Sequence, residues 1–454
     1  MIEKLYKFFE LKERNTNIRT EVFAGITTFA AMAYIIFVQP GILSGQAFGM
    51  NTGMDFGALV TTTCIASAFG CIMMGLLANF PAGLAPGMGE NFYLVLSVLP
   101  VCAGVLGLKV GAPEVWQLGL GVVFVSGVLF ALISFLNVRR FLMHSISPSM
   151  KHAIAAGIGL FIALIGLEHG GIIVSQNGHY ILNSTFKSHS MLIFCAGLIV
   201  MSVLHIRKVR GAILLGIVSS SVLAFALGDI TLSGMPVGLP ENPMPIIGKM
   251  DIPGVFKAIF NLLPLIIIFT FMDVFDTLGC VVGLASCSGL MKNDELPGAP
   301  RIFAADATAT IAGAVVGHST VTAYIESAAG IESGGRSGMT ALITGICFMI
   351  ALFFTPFISA VAGYMPITAP ALVVVGAMMM QSTAKIKWDD FSESIPAFLI
   401  IAGIPFCYSI ADGMLIGFIA YPVIKLLSGK GREITWLNYL LAAILATFLI
   451  FIKG

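Results

Sequence analysis

Two aspartates interrupt an apolar run that extends from Leu262 to Leu284. Residues 269–280 read FTFMDVFDTLGC, and Asp273 and Asp276 stand there with no basic residue in the same segment. Helical positions three apart lie about 60° from one another, so the two carboxyls share a face. An acid inside a membrane span costs upward of about 2.5 kcal/mol, and such residues turn toward the bundle interior or a wet cavity and mark substrate or ion paths. Two neighbouring carboxyls also resist joint ionisation, so one of them is expected to hold a proton at neutral pH.

A second stretch, 318–340, reads HSTVTAYIESAAGIESGGRSGMT. Its first half is β-branched and aromatic, poor for helix and good for extended chain, whereas its second half is small enough to pack as a helix. Glu326 lies near the junction, where exposed backbone N–H groups and the positive end of a half-helix suit polar ligand atoms. Glu332 and Arg336 are four apart and are expected to pair near the cytoplasmic end. A third stretch, 80–95, reads FPAGLAPGMGENFYLV. Pro81 and Pro86, with Gly83, Gly87 and Gly89, preclude regular helix there. Glu90 and Asn91 follow. Asn91 can donate and accept at once, which suits the edge of a heterocycle. Phe92, Tyr93 and Tyr324 flank the two breaks, available for stacking or for ordinary packing.

The elements that must position these residues are membrane helices. The chain is 57% hydrophobic and 10% charged, with a mean hydropathy of +0.97, which excludes a soluble globular domain. Fifteen apolar segments run from 22–45 to 436–452, most of them close to the roughly 17–25 residues that cross a bilayer. Those at 84–103 and 319–333 are interrupted. The first 19 residues are polar and basic, unlike a cleavable signal peptide. A net charge of +1 selects no class of partner. Eight cysteines fall in apolar segments without a CxxC pair and read as small packing residues. Neither metal-ligand spacing nor a nucleophile–base pair is present, which argues against an intramembrane enzyme and predicts no metal and no cofactor. His318 is expected to be a satisfied packing residue.

With the N-terminus placed in the cytoplasm, 19 of the 24 Lys and Arg residues fall on the inside, as the positive-inside rule requires for fourteen spans. The fifteenth segment is short enough to lie at the interface. Seven spans precede residue 230 and seven follow residue 258, so the halves insert with opposite orientation. GAILLGI at 211–217 and GMLIGFI at 413–419 open the seventh and fourteenth spans. The expected fold is therefore an all-α polytopic membrane protein of about 14 spans arranged as a 7+7 inverted repeat. Spans 3 and 10 are broken by short extended segments, and paired broken helices mark a transporter's substrate site. The divisions are 1–21, a cytoplasmic segment; 22–229, the first repeat; 258–427, the inverted repeat; and 428–454, a C-terminal segment with a possible extra helix.

APGMGENFY, FMDVFDTLG, STVTAYIESAAG, GGRSGMTA, TAPALVVVG and PFCYSIADG, in that order, together with the opening RTEVFAGITTFAAMAYIIFVQPGILS, resemble the AzgA-like branch of the nucleobase–ascorbate transporters (NCS2) from about residue 12 to 430. The resemblance implies proton-coupled import of adenine, guanine or hypoxanthine through the inner (plasma) membrane. It also implies a core domain of spans 1–4 and 8–11 moving against a gate domain of spans 5–7 and 12–14, usually in a homodimer. By motif match, the purine-contacting acids are Asp276 and Glu326, Asn91 lines the broken third span, and Asp273 is a second acid typical of the branch. Phe92 and Tyr324 are then candidate stacking residues, and Asp273, Asp276 and Glu326 are candidates for proton coupling. The expected partners are a purine, a proton, the lipid bilayer and a second copy of the chain, with no nucleic acid. Cys280, His318 and Glu90 depart from the pattern beside the site. The alternatives are an anion carrier of the same architecture, as in sulfate transporters, and a sodium-coupled nucleobase carrier. A channel would need a continuous polar lining, whereas the polar residues cluster at two breaks.

Overall fold

The computed structural model describes residues 2–135, 147–176, 179–183, 188–231, 235–291, 296 and 298–449. Arg139, Arg140, Lys187, Lys292 and Lys453, counted in the charge balance, lie outside the described residues, as does the end of the last apolar segment.

Helices dominate. In chain order they are α1 (Ile2–Phe8), α2 (Ile18–Met32), α3 (Ile35–Leu43), α4 (Phe56–Met73), α5 (Met88–Tyr93), α6 (Leu99–Leu106), α7 (Pro113–Phe135), α8 (Pro148–His169), α9 (His189–Ile206) and α10 (Ala212–Leu227) in the first half. The second half holds α11 (Ile252–Lys257), α12 (Ile259–Ser288), α13 (Ala299–Val316), α14 (Ala328–Glu332), α15 (Gly338–Ala351), α16 (Thr355–Ala362), α17 (Met365–Met380), α18 (Phe391–Phe406), α19 (Ile410–Leu427) and α20 (Trp436–Phe448). Among the described residues, ten helical stretches are long and apolar enough to cross a membrane, and Ala212–Leu227, Phe391–Phe406 and Asn438–Thr447 are shorter apolar helices. The chain is thus a helical, multi-pass membrane protein. The long loops carry short structure, a hairpin of β2 (Ile173–Gln176) with β3 (His179–Leu182) and the helix α11.

The helices pack in two groups. One gathers α2, α4, α7, α12, α13 and α15; the other gathers α8, α9, α10, α17, α18 and α19. Inside the first group both broken segments are extended. Strand β1 (Leu84–Pro86) pairs antiparallel with β4 (Val321–Ala323), Leu84 opposite Ala323 and Pro86 opposite Val321. Pro86 and the preceding Pro81 keep helix out of this stretch, and the β-branched Val321 and Thr322 favour the strand. Every residue of both strands is buried. Two glycines make room for the ribbon. A Cβ on Gly70 of α4 would lie 2.9 Å from Leu84 and Val321, and one on Gly313 of α13 would lie 2.7 Å from Val321.

Each strand leads into a short helical segment: β1 into α5, and β4 through a tight turn at Ile325–Ser327 into α14. In a membrane interior irregular backbone is tolerated only where protein or a cavity satisfies it. Here the two breaks satisfy one another. The Tyr324 N–H donates to Gly83 O at 3.0 Å and the Gly87 N–H to Thr320 O at 3.0 Å.

Candidate functional site

The ribbon brings together acids that are far apart in sequence. Asp276, on α12, keeps accessible surface, unlike most polar residues of that helix. Glu326, in the turn after β4, is half-buried and within electrostatic range of Asp276. The Tyr34 hydroxyl, at the break between α2 and α3, donates to Glu326 Oε1 at 2.9 Å. Tyr324 is buried, its hydroxyl donating to Pro86 O at 2.5 Å and its ring 6.5 Å from that of Tyr34. Cys280, one turn beyond Asp276, is half-buried within electrostatic range of both carboxyls.

Asp273 shares the Asp276 face but not its exposure. It is 1% exposed and accepts from Thr310 Oγ1 at 3.0 Å. The helix face is therefore covered at Asp273 and open at Asp276. Asn91 is wholly buried. Its Oδ1 accepts from Gln39 Nε2 at 2.8 Å, its amide donates back to Gln39 Oε1, and Ser319 donates to it as well. Phe92 is also wholly buried, edge-on to Phe48 at 5.3 Å and to Phe161 at 6.1 Å. In this structure Asn91, Phe92 and Tyr34 thus face protein partners, while Asp276, Glu326 and Cys280 keep accessible surface.

His318 is a packing residue with both ring nitrogens engaged. Gln39 Nε2 donates to His318 Nδ1 at 3.2 Å, and His318 Nε2 lies 2.8 Å from Thr62 Oγ1. The Thr62 hydrogen is directed to Leu59 O at 3.3 Å, so the histidine carries its proton on Nε2. This network ties α3, α4, α5 and the start of the second break together.

The expected Glu332–Arg336 pair is not formed. Glu332 is exposed, and the Arg336 guanidinium donates to Ile331 O and to Gly335 O, the latter at 2.7 Å. The acid that serves this loop is Glu21 of α2, fully buried. It accepts from the Arg336 N–H at 2.9 Å, the Ser337 and Thr340 N–H groups at 3.3 and 3.2 Å, and the Thr340 hydroxyl at 2.6 Å. The helix α15 begins at this point, and its free N–H groups make a better partner for an anion than a mobile arginine does.

Residues missed in the sequence are Tyr34, Gln39, Glu21 and Asp306. Asp306 is fully buried on α13 and accepts from Thr277 Oγ1 at 2.5 Å. It carried the same signal as Asp273, an acid within a run of small apolar residues. Gln39, directly before Pro40 inside an apolar segment, was likewise legible as a polar residue at a helix irregularity.

Comparison with known proteins bears on what this arrangement serves. Residues 19–416 match the model of a family described as "Permease family". A putative permease of Methanocaldococcus jannaschii is 42% identical over 99% of this chain and 98% of its own length. The guanine/hypoxanthine permease PbuO of Bacillus subtilis is 38% identical over 94% of this chain and 96% of its own. The adenine permease AdeP of Escherichia coli is 36% identical over 99% of this chain and 97% of its own. Among solved structures, the transmembrane domain of a cyanobacterium bicarbonate transporter, BicA, superposes with a TM-score of 0.62 at 14% identity, covering 89% of this chain and 97% of that one. SLC26A9 gives a TM-score of 0.62 at 11% identity over 90% of this chain and 66% of that one. These two likenesses concern the fold alone.

Proposed function

The chain belongs to this permease family, a family of nucleobase permeases and not of enzymes, and from that premise we propose that it imports adenine, guanine or hypoxanthine by proton symport. The observation that carries the reading is the pair Asp276 and Glu326, within electrostatic range of one another and both keeping accessible surface, without a basic partner among the described residues. A carboxylate binds a donor strongly where water is scarce, and a purine presents N–H donors along one edge. Asp276 and Glu326 grip those donors. Tyr34 holds Glu326 in place, and Tyr324, whose ring lies beside that of Tyr34, is the candidate stacking residue. Asn91 and Phe92 act one layer back, holding the first break against Gln39, Phe48 and Phe161.

The architecture proposed with this function is the fourteen-span inverted repeat. The two shorter helices α10 and α18, the helix α13 and the broken segment β4–α14 supply the spans beyond the ten long ones. Residues 22–229 and 258–427 form the repeats, 1–21 lies in the cytoplasm, and the group containing the ribbon is the core that moves against the other group, the gate. The chain works in the cell inner membrane, as a homodimer. An anion carrier of the same fold would need a positive or neutral site, which these carboxyls oppose.

The test is uptake of labelled adenine, guanine, hypoxanthine and uracil into cells lacking their own carriers, with and without a protonophore. Purine uptake that collapses with the protonophore supports the proposal. Uptake of none of the purines sinks it, and uptake that ignores the protonophore and follows sodium replaces the proton with sodium.

A further inference from the structure

Helices α12 and α13 are joined by two carboxyl–hydroxyl contacts of opposite sense. Thr310 on α13 donates to Asp273 Oδ2 on α12 at 3.0 Å, and Thr277 on α12 donates to Asp306 Oδ2 on α13 at 2.5 Å. On each helix the acid and the threonine stand four residues apart, in register for antiparallel neighbours. Both contacts lean on β4. Thr310 Oγ1 accepts the Val321 N–H at 3.3 Å, and Thr277 Oγ1 lies 3.1 Å from Thr322 Oγ1. The Thr277 hydrogen is committed to Asp306, so Thr322 is the donor in that last pair. The Ala323 N–H, on the edge of β4 away from β1, faces Asp306 without closing a hydrogen bond of normal geometry.

Each carboxyl is half satisfied. Asp273 Oδ1 and Asp306 Oδ1 have no hydrogen-bond partner, although the residues are 1% and 0% exposed. No Lys or Arg among the described residues bonds to either acid. Two uncompensated anions are untenable in such a place. Two orphaned oxygens, with the neighbouring hydroxyls of Thr310, Thr277 and Thr322 engaged on other atoms, call for a positive ligand. Among the described residues no three His, Cys, Asp or Glu stand close enough to hold a metal ion, and the proton is the smallest positive ligand that the pair can take. The other titratable groups facing the pair are Glu90 on α5, and Asp276 and Cys280 on α12, with Glu326 beyond Asp276. Helix α4 brings no charged residue, and α7 only Glu114 in its first turn.

We propose that the Asp273–Asp306 pair is a proton site distinct from the purine-gripping acids, and that it holds the coupling proton. The inference rests on the purine-symport reading and sharpens it, moving the proton off Asp276 and Glu326. One proton, taken from the medium, sits on a carboxyl oxygen of the pair and returns to the medium on release; no other bond changes. Linkage follows from β4. Thr322 touches the pair, and Glu326 lies four residues further along the same segment. Loading the pair therefore seats the strand that presents Glu326 to the purine, and by reciprocity a bound purine raises the pair's hold on its proton.

The test uses the full chain, purified and reconstituted into liposomes. Hypoxanthine, guanine and adenine binding is measured by calorimetry in two buffers of different ionisation heat, which counts protons taken up with the ligand. Wild type should take up protons with purine and accumulate it under an imposed pH gradient. Asp306→Asn and Asp273→Asn each mimic a permanently protonated carboxyl. They should bind purine within about threefold of wild type, exchange it across the membrane, take up no proton on binding and fail to accumulate it. Asp306→Glu, which keeps the acid, should retain coupling. If one asparagine variant misfolds, the other carries the test. If both do, folded Asp276→Asn must still show a protonated buried carboxyl by infrared difference spectroscopy across a pH titration, and its absence overturns the proposal. Coupling that persists in both asparagine variants, or accumulation driven by sodium and indifferent to pH, also overturns it. A wild-type protein that binds no purine fails earlier and breaks the purine reading itself.

Discussion

Acids are buried in both halves of the proposed machine, but in opposite company. In the gate, Glu393 at the start of α18 is 8% exposed and lies 2.9 Å from the ammonium of Lys425, itself 2% exposed. Tyr421 donates to the same carboxylate at 3.1 Å, Ser147 donates to it too, and Glu433 lies 2.9 Å from Lys425 on the other side. In the core, Asp276, Glu326, Asp273 and Asp306 have hydroxyl donors or none, and no bonded cation among the described residues. A charge paired inside the protein serves the fold. A charge met neither by a cation nor, as Glu21 is, by the N–H groups of a helix start is held for something that arrives from outside. The difference separates scaffold from site.

The comparison can be broken most severely at Lys425. Lys425→Met strands Glu393 in a buried position and should destabilise the protein by about 3 kcal/mol, read as a lowered thermal midpoint in detergent, while the surviving folded fraction binds purine with wild-type affinity. A loss of affinity without a loss of stability would place the gate ion pair in the site.

Next in size are the core acids. Asp276→Asn and Glu326→Gln each remove a charged acceptor and should weaken purine binding by about 1.5–3 kcal/mol, roughly tenfold to hundredfold, with the thermal midpoint held, since both side chains keep accessible surface. Wild-type affinity in both would leave the two acids without their proposed ligand. Tyr34→Phe removes only the hydroxyl that orients Glu326. It should cost about 1 kcal/mol of purine affinity, roughly fivefold, and an unchanged affinity would mean that Glu326 needs no such guide. The smallest effect belongs to Glu332→Gln. The side chain is exposed and makes no ion pair with Arg336, so uptake should stay within about twofold of wild type; complete loss in folded protein would make the loop part of the gate.

The gate also supplies a pH control. Asp390, outside the spans, accepts from the Ser392 hydroxyl at 2.7 Å and from Lys430 at 3.0 Å, and these partners hold its carboxyl well below the usual carboxylate range. A depressed carboxyl stabilises the fold above its unfolded pKa and loses that contribution only as pH falls through the folded value. That window lies below any transport assay between about pH 5 and 8. The Asp390–Lys430 pair therefore contributes nothing to a pH profile taken there.

The helical membrane character and the two broken segments were legible because composition and prolines act locally. Pro81, Pro86 and the β-branched run at 320–322 dictate extended chain wherever they sit. The joining of the breaks into one ribbon was not legible, because Leu84 and Ala323 are 239 residues apart and strand pairing leaves no local trace. Asp276 and Glu326 stood out as acids in apolar surroundings. The separate fate of Asp273 did not, since a shared helical face says nothing about where the neighbouring helix ends its cover. The Glu332–Arg336 expectation failed for a related reason. Spacing of four allows a pair, but the start of α15 offered Glu21 and the carbonyls of residues 331 and 335 a better arrangement, and that choice depends on α2, more than 300 residues away.

The central claim is that Asp276 and Glu326 exist to hold a purine. It is tested most directly by following the thermal midpoint of the purified chain during titration with hypoxanthine, guanine, adenine, uracil and bicarbonate, alongside the Asp276→Asn/Glu326→Gln double variant. A ligand at a hundredfold excess over its Kd stabilises the folded state by about 2.7 kcal/mol. The account predicts that at least one purine raises the wild-type midpoint, that bicarbonate does not, and that the double variant melts without responding to any of them. Stabilisation by bicarbonate with none by purines, or a double variant that responds to purine as the wild type does, would contradict it.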